Sequence, residues 1–196
     1  MDDLDENLGG DFWNKRYEKA DTPWNITQPS PPLTAYVDQL VDKSIKILIP
    51  GAGHAHEAFY LIDHGFTDVT ICDISETAMA RIKNHASASQ IKLIFGDFFD
   101  LEGKYDLIIE QTFFCAITPS MRKRYSEKTY GLLNDGGKLV GLLFDRIFDH
   151  VGPPFGGTKE EYENYFSEKF YIQKMEKCYN SVGPRLGHEL FFICIR

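Results

Sequence analysis

Short apolar runs alternate with amphipathic stretches through the middle of the chain. Residues 45–50 (Ile-Lys-Ile-Leu-Ile-Pro) form a nearly continuous apolar run, as a strand buried on both faces requires. Runs at 68–72, 91–95, 105–110 and 138–144 read the same way. Between them, residues 55–64, 75–86 (with Ser75 as cap) and 119–133 carry helical patterning. Strands alternating with helices predict right-handed βαβ crossovers and a mostly parallel sheet covered on both sides. Beyond residue 150 the pattern changes. Thr158 caps a helix over 159–167, and 170–179 and 189–195 read as strands joined by a short loop without a helix. Such a connection predicts an antiparallel hairpin. The expected fold is therefore α/β, a mostly parallel seven-stranded sheet with a C-terminal antiparallel hairpin and helices on both faces.

Upstream of the sheet, residues 1–9 read as a disordered acidic leader. Asp11 is the expected N-cap of a helix over 11–20, which places Trp13 and Tyr17 on one face. Prolines at 23, 29, 31 and 32 break regular structure, and Ser30 can cap a helix over 31–41. No repeat or linker divides the rest, so 10–196 is expected to be one domain.

Composition narrows the function. With 21 Lys plus Arg against 29 Asp plus Glu, the net charge is −8. That disfavours a phosphate backbone or an anionic membrane surface as partner. No apolar run approaches the ~18–20 residues that span a bilayer. The start is acidic, unlike a secretory signal. Cys72, Cys115, Cys178 and Cys194 lie far apart without a Cys-x-x-Cys pair, which predicts reduced thiols and a cytoplasmic protein. No heptads or interface stripe appear, so a monomer is expected. The unusual figure is the aromatic content of 14%, which either fills the core or lines a pocket for a flat or cationic ligand.

In an open parallel sheet, ligands bind outside the carboxyl ends of the strands. Strand one ends in Gly51-Ala52-Gly53, where glycines let a ligand approach the backbone. Strand two ends at Asp73, followed by Ile74, placed to accept hydrogen bonds from ribose hydroxyls. Strand three leads to Gly96-Asp97-Phe98, suited to an adenine amine and ring, and strand four to Glu110-Gln111-Thr112-Phe113-Phe114-Cys115. The ordered set predicts an adenosine-bearing cofactor. Position 56 is His, so the third glycine of the dinucleotide fingerprint is missing.

Several blocks resemble the thiopurine S-methyltransferase family. These are Trp13-x-x-x-Tyr17, Thr22-Pro23-Trp24, Ile49-Pro50-Gly51-Ala52-Gly53, Asp73-Ile74-Ser75, Phe113-Phe114-Cys115-Ala116-Ile117 and Asp149-His150-Val151-Gly152-Pro153-Pro154-Phe155. They look most like its plant branch, the halide and thiocyanate (thiol) methyltransferases, over roughly residues 12–172. The resemblance implies a Rossmann-like class I methyltransferase fold, S-adenosyl-L-methionine as cofactor and a small-molecule methyl acceptor. It implies that Trp13, Tyr17 and Trp24 close over the cofactor, in a cap formed by residues 10–40. Gly51, Asp73, Asp97 and Phe98 match cofactor positions, and Gly53, Ile74 and Gln111 are further cofactor-binding candidates. Phe113, Phe114, Phe155 and Glu110 are acceptor-pocket candidates. Tyr17 replaces a tryptophan of the plant branch, and Gln111 and Phe155 each replace a tyrosine.

S-adenosylmethionine is a sulfonium cation, which aromatic faces attract. Transfer to an anionic thiolate or halide disperses charge, so a dry pocket favours the transition state over separated ions. An anionic nucleophile needs no general base, and in-line positioning supplies most of the remainder. His54, His56 and His150 read as cap or surface residues. Direct transfer leaves no role for Cys115 as a nucleophile. Three other readings compete: an O- or N-methyltransferase with Glu110 as base, an NAD-dependent oxidoreductase, and a non-catalytic adenosyl-ligand module. The missing glycine and the C-terminal hairpin disfavour the oxidoreductase.

Overall fold

The computed structural model describes residues 8–196. Seven strands form one sheet: β1 (Lys46–Pro50), β2 (Asp68–Asp73), β3 (Ile91–Phe95), β4 (Tyr105–Gln111), β5 (Leu133–Phe144), β6 (Tyr171–Lys177) and β7 (Glu189–Ile195). Their spatial order is β3-β2-β1-β4-β5-β7-β6. The first five are parallel, and β7 runs antiparallel to both β5 and β6. Among the described residues six α-helices accompany the sheet: α1 (Gly10–Glu18), α2 (Pro31–Val37), α3 (His56–Asp63), α4 (Glu76–Lys83), α5 (Arg122–Leu132) and α6 (Lys159–Ser167).

The continuous apolar runs are explained by burial on both faces. Ile47 and Ile49 of β1 point into one cluster with Leu33, Leu61 and Met79 from α2, α3 and α4. Leu48, between them, points the other way, into a cluster with Tyr125 and Phe166 from α5 and α6. Successive strand side chains alternate faces, so a strand covered on both sides must be apolar throughout. The chain reverses direction in the sheet between β1 and β4, which opens a crevice at the carboxyl ends of these strands.

Several boundaries differ from expectation. The first helix begins at Gly10 with Gly9 as N-cap, so Asp11 lies in the first turn and does not cap it. Close docking is the reason: a Cβ on Gly10 would stand 2.8 Å from the Ile74 carbonyl oxygen. The helix expected over 31–41 ends at Val37, because Gln39 and Leu40 turn back to the carbonyls of Tyr36 and Val37 at 3.2 and 3.0 Å. Ser30 is its N-cap by position but makes no side-chain cap bond. Ser75 and Thr158 do cap, accepting from the Ala78 and Glu161 N–H groups. The helix expected to Ala86 stops at Lys83. The segment 119–133 opens with a 3₁₀ turn before α5. β5 begins at Leu133 rather than 138: Leu133 pairs with Tyr105 and Lys138 with Leu107, so Asn134–Gly137 bulge out of the β4 register inside the strand. A register shift between Ile172 and Lys174 interrupts the alternation of β6. The leader expected at 1–9 falls outside the described residues as far as residue 7. All four cysteines are free and buried. Among the described residues no helix is long and apolar enough to cross a membrane.

Gly141 of β5 fixes how closely β4 and β5 approach beside the crevice. A Cβ there would lie 2.4 Å from Glu110 Cβ and 2.5 Å from its carbonyl oxygen. Gly141→Ala should therefore destabilise the fold by about 1–3 kcal/mol or more through overpacking, read as a lower urea midpoint at unchanged slope.

Candidate active site

A cavity of about 420 Å³ occupies the crevice. One wall comes from the segment before the sheet: Leu8, Gly9, Trp13, Tyr17 and Trp24. Leu8 and Gly9, expected in the leader, thus belong to the cavity. The indoles of Trp13 and Trp24 meet edge to face at 5.5 Å, and Tyr17 meets Trp24 the same way at 5.7 Å. The Trp24 indole also hydrogen-bonds the Tyr17 hydroxyl, but burial dominates and pushes that phenol's pKa well up.

Long-range bonds hold this aromatic cap. Asn14 Oδ1 accepts from Ser75 Oγ and the Thr77 N–H at 2.8 and 3.1 Å. Arg81 donates to the Tyr17 carbonyl at 2.8 Å, and Arg185 to the Trp24 carbonyl at 2.8 Å. Glu57 accepts from the Ser30 N–H at 2.9 Å. Asn14, Arg81 and Arg185 carry no local signal of these roles, since each acts on a segment distant in sequence.

The floor is built from strand ends. Gly51 takes a positive φ of 57°, and a Cβ on it would lie 2.3 Å from the Phe113 ring. Gly53 has φ 56°, and its Cβ would stand 2.8 Å from the Tyr17 hydroxyl. Both positions thus need glycine for conformation and for space. Asp73 is buried, its Oδ2 accepting from the Gly53 N–H at 2.9 Å and its Oδ1 from the Ser75 N–H at 2.8 Å. Burial raises its carboxyl above the ordinary range, and the N–H groups of Ser75, Gly53 and Ile74 pull it back. Ile74, Asp97, Phe98 and Phe113 complete the floor.

Other expected residues lie elsewhere. Gly53 and Gln111 border a smaller cavity of about 40 Å³, which shares Trp24, Gly51 and Thr112 with the first. Glu110 is 0% exposed and turns into the layer under α5. Phe114, one residue beyond Phe113, points into the same core because neighbouring side chains diverge. Phe155 is half-buried off the cavity wall and contributes through its backbone. Its N–H donates to the Cys115 carbonyl at 2.7 Å, and its own carbonyl accepts from the buried Arg122 at 3.2 Å. Glu110, Phe114 and Phe155, expected as acceptor-pocket residues, therefore present no side chain to this cavity. The side of the cavity after β4 carries Phe113, Cys115, Ala116, Ile117, Phe148 and Arg146.

His54 and His56 stack 5.7 Å apart beside the small cavity, and burial lowers both pKa values, keeping the rings neutral. His150 is exposed. Cys115 donates to the Thr112 carbonyl at 3.2 Å, and burial pushes its thiol up to about 12, so it is no thiolate at neutral pH.

The sequence model of thiopurine S-methyltransferase (TPMT) matches residues 8–190. The chain belongs to the thiopurine S-methyltransferase family. It is 32% identical to the probable thiol methyltransferase 2 of Arabidopsis thaliana, over 95% of this chain and 84% of that protein. Identity to thiocyanate methyltransferase 1 of the same plant is also 32%, over 90% and 81%. The thiopurine S-methyltransferase of Acinetobacter baylyi is 25% identical, over 85% and 88%. Among solved structures, the magnesium protoporphyrin IX methyltransferase of Synechocystis with bound S-adenosylhomocysteine superposes with a TM-score of 0.75 at 14% identity, over 95% and 97% of the two chains. The fold is the class I Rossmann-like methyltransferase fold, and the protein is an S-adenosylmethionine-dependent methyltransferase.

The cavity suits that cofactor. Its glycine turn has no room for side chains, its floor has a carboxylate for hydroxyl donors, and its cap offers aromatic faces to a cation. Asp73→Ala should weaken S-adenosylmethionine binding by about 1.5–3 kcal/mol, the range for hydrogen bonds to a charged group, when measured by isothermal titration.

Proposed function

We propose that this methyltransferase moves the methyl group directly, in line, onto a small, soft, anionic nucleophile: a thiolate, sulfide, thiocyanate or halide. One observation carries the reading. The acceptor wall is apolar and aromatic, with a cationic rim and no carboxylate or imidazole among the described residues that line it. The lining carboxylates, Asp73 and Asp97, stand at the ends of β2 and β3, and Glu110 faces away. A phenol or amine acceptor would need a base there, and a preformed anion does not.

When bound, S-adenosylmethionine would supply the methyl group on a sulfonium, a leaving group that keeps the bonding electrons as the acceptor's lone pair takes the carbon. The chain's own residues do the rest. Trp13, Tyr17 and Trp24 present ring faces to positive charge and exclude water. Gly51, Asp73, Ile74, Asp97 and Phe98 hold the nucleoside and its tail in this reading, and Phe113 bounds the acceptor side. Three arginines border the cavity, and two are neutralised: Arg16 by Asp21 at 2.7 Å, and Arg185 by Glu189 at 3.4 Å. Arg146, exposed at the mouth and stacked 4.7 Å over Phe148, has no carboxylate partner among the described residues. Its free charge draws anions inward. The names of the two plant relatives, thiol and thiocyanate methyltransferase, support the same acceptor class.

A panel with labelled cofactor tests this. Iodide, thiocyanate, sulfide and an aryl thiol should be methylated, and phenols and amines should not. Preference for phenols or amines would refute the acceptor class. For thiocyanate, Arg146→Gln should lower kcat/KM about tenfold at low salt, the lower end of electrostatic steering, with the difference shrinking as salt is added.

A further inference from the structure

β4 ends in a carboxylate that solvent does not reach. Glu110 Oε1 accepts from the Phe113 and Phe114 N–H groups at 2.8 and 2.9 Å, and Oε2 accepts from Tyr125 Oη at 2.6 Å. Tyr125, on α5, is itself fully buried, with the rings of Phe114 and Phe98 at 5.1 and 5.6 Å. Behind Glu110 stands Gly141, where even a methyl group would clash. The carboxylate is thus fixed between the sheet, α5 and the loop that follows β4.

That loop contains the one strained turn of the acceptor side. Thr112 takes φ 63°, a left-handed conformation that is strained for a β-branched residue and persists only when its surroundings over-determine it. The two N–H groups bonded by Glu110 are those of the next two residues. Beyond them, Phe113, Cys115, Ala116 and Ile117 form the acceptor wall, and Phe113 covers Gly51.

We propose that Glu110 is a positioning residue whose ionised carboxylate, with Tyr125, clamps the Thr112–Phe114 turn and so sets the acceptor wall against the cofactor loop. It touches neither reactant. Its effect on turnover rests on the acceptor reading above, whereas its hold on the turn does not.

The clamp responds to pH. Burial pushes Glu110 up to about 7, against the donors Tyr125, Phe114 and Phe113. On protonation, the acid's own O–H competes with the Tyr125 O–H for one contact, and the N–H bonds lose their charge assistance. Other titratable and charged groups face this layer. Burial raises Cys115 and Cys194 to about 12 and Tyr125 well above its ordinary value. Arg122 and Arg185 are paired with Glu161 and Glu189, and Glu189 acts on Cys115 and Arg185. Because the folded-state value lies above the ordinary one, Glu110 contributes stability at low pH that is lost as pH rises through about 7. Activity, which needs the ionised clamp, rises over the same window.

The test compares wild type with Glu110→Gln and Tyr125→Phe between pH 6 and 8. Turnover uses thiocyanate, anionic throughout. Amide exchange at residues 112–117 and urea unfolding are measured in parallel. Wild type should gain activity and lose stability as pH rises. Glu110→Gln should flatten both trends and lower protection at Phe113 and Phe114 about tenfold, the difference between charged and neutral hydrogen bonds. Tyr125→Phe, which removes a donor to the ionised form, should move the activity limb to higher pH. Cofactor affinity should be little changed in either variant. A wild-type pH profile in Glu110→Gln, or unchanged protection at Phe113 and Phe114, overturns the proposal. If thiocyanate is not methylated by any of the three proteins, the acceptor reading fails, and exchange and stability still decide the clamp.

Discussion

One buried carboxylate joins the parts that make this site. Asp73 bonds the Gly53 N–H of the turn after β1 and the Ser75 N–H that opens α4. Those two bonds fix the glycine turn relative to the end of β2. Ser75 and Thr77 in turn hold Asn14, and Gly10 packs on the Ile74 carbonyl. The aromatic cap thus docks on the same few residues that Asp73 orders. A carboxylate buried without such donors would be driven to the neutral form, so the turn and the charge sustain each other.

The second half of the cavity is organised by the opposite arrangement. After β4 the carboxylate points inward, to Tyr125 and two backbone N–H groups, and the wall it supports is left apolar. One side therefore offers a carboxylate and aromatic faces to a cationic cofactor. The other has a low-polarity wall and a guanidinium beside it, which on the proposed reading receives an anion. Bringing such partners together in a water-poor cavity lets charge cancel along the reaction, which is a route to acceleration without a proton-transferring residue.

Much of this was legible in the residues. The double-sided burial of β1 appears as an unbroken apolar run, and α6 and β7 begin and end where their patterns do. Asp73 lies at the end of β2 in the cavity floor, the place its position after the second apolar run indicates. Glu110 has the same sequence signature and the opposite role. Its direction depends on strand parity: it shares a face with Ile108, which packs under α5. Which helix covers that face is a tertiary fact. Phe113 and Phe114 divide in the same way, one to the cavity and one to the core. Phe155 acts through backbone bonds, which no side-chain pattern encodes. The tethers from Arg81 and Arg185 to the cap span 64 and 161 residues and leave no local trace.

On the proposed reading, cofactor and anionic acceptor share the larger cavity, on opposite walls. A crystal structure with S-adenosylhomocysteine and iodide tests it most directly, because iodide is located by its anomalous scattering. The account predicts the nucleoside over Asp73 and Asp97, and an iodide peak between the Phe113–Ile117 wall and the ligand's sulfur. S-adenosylhomocysteine bound elsewhere, or bound there with iodide absent from that wall, would contradict it.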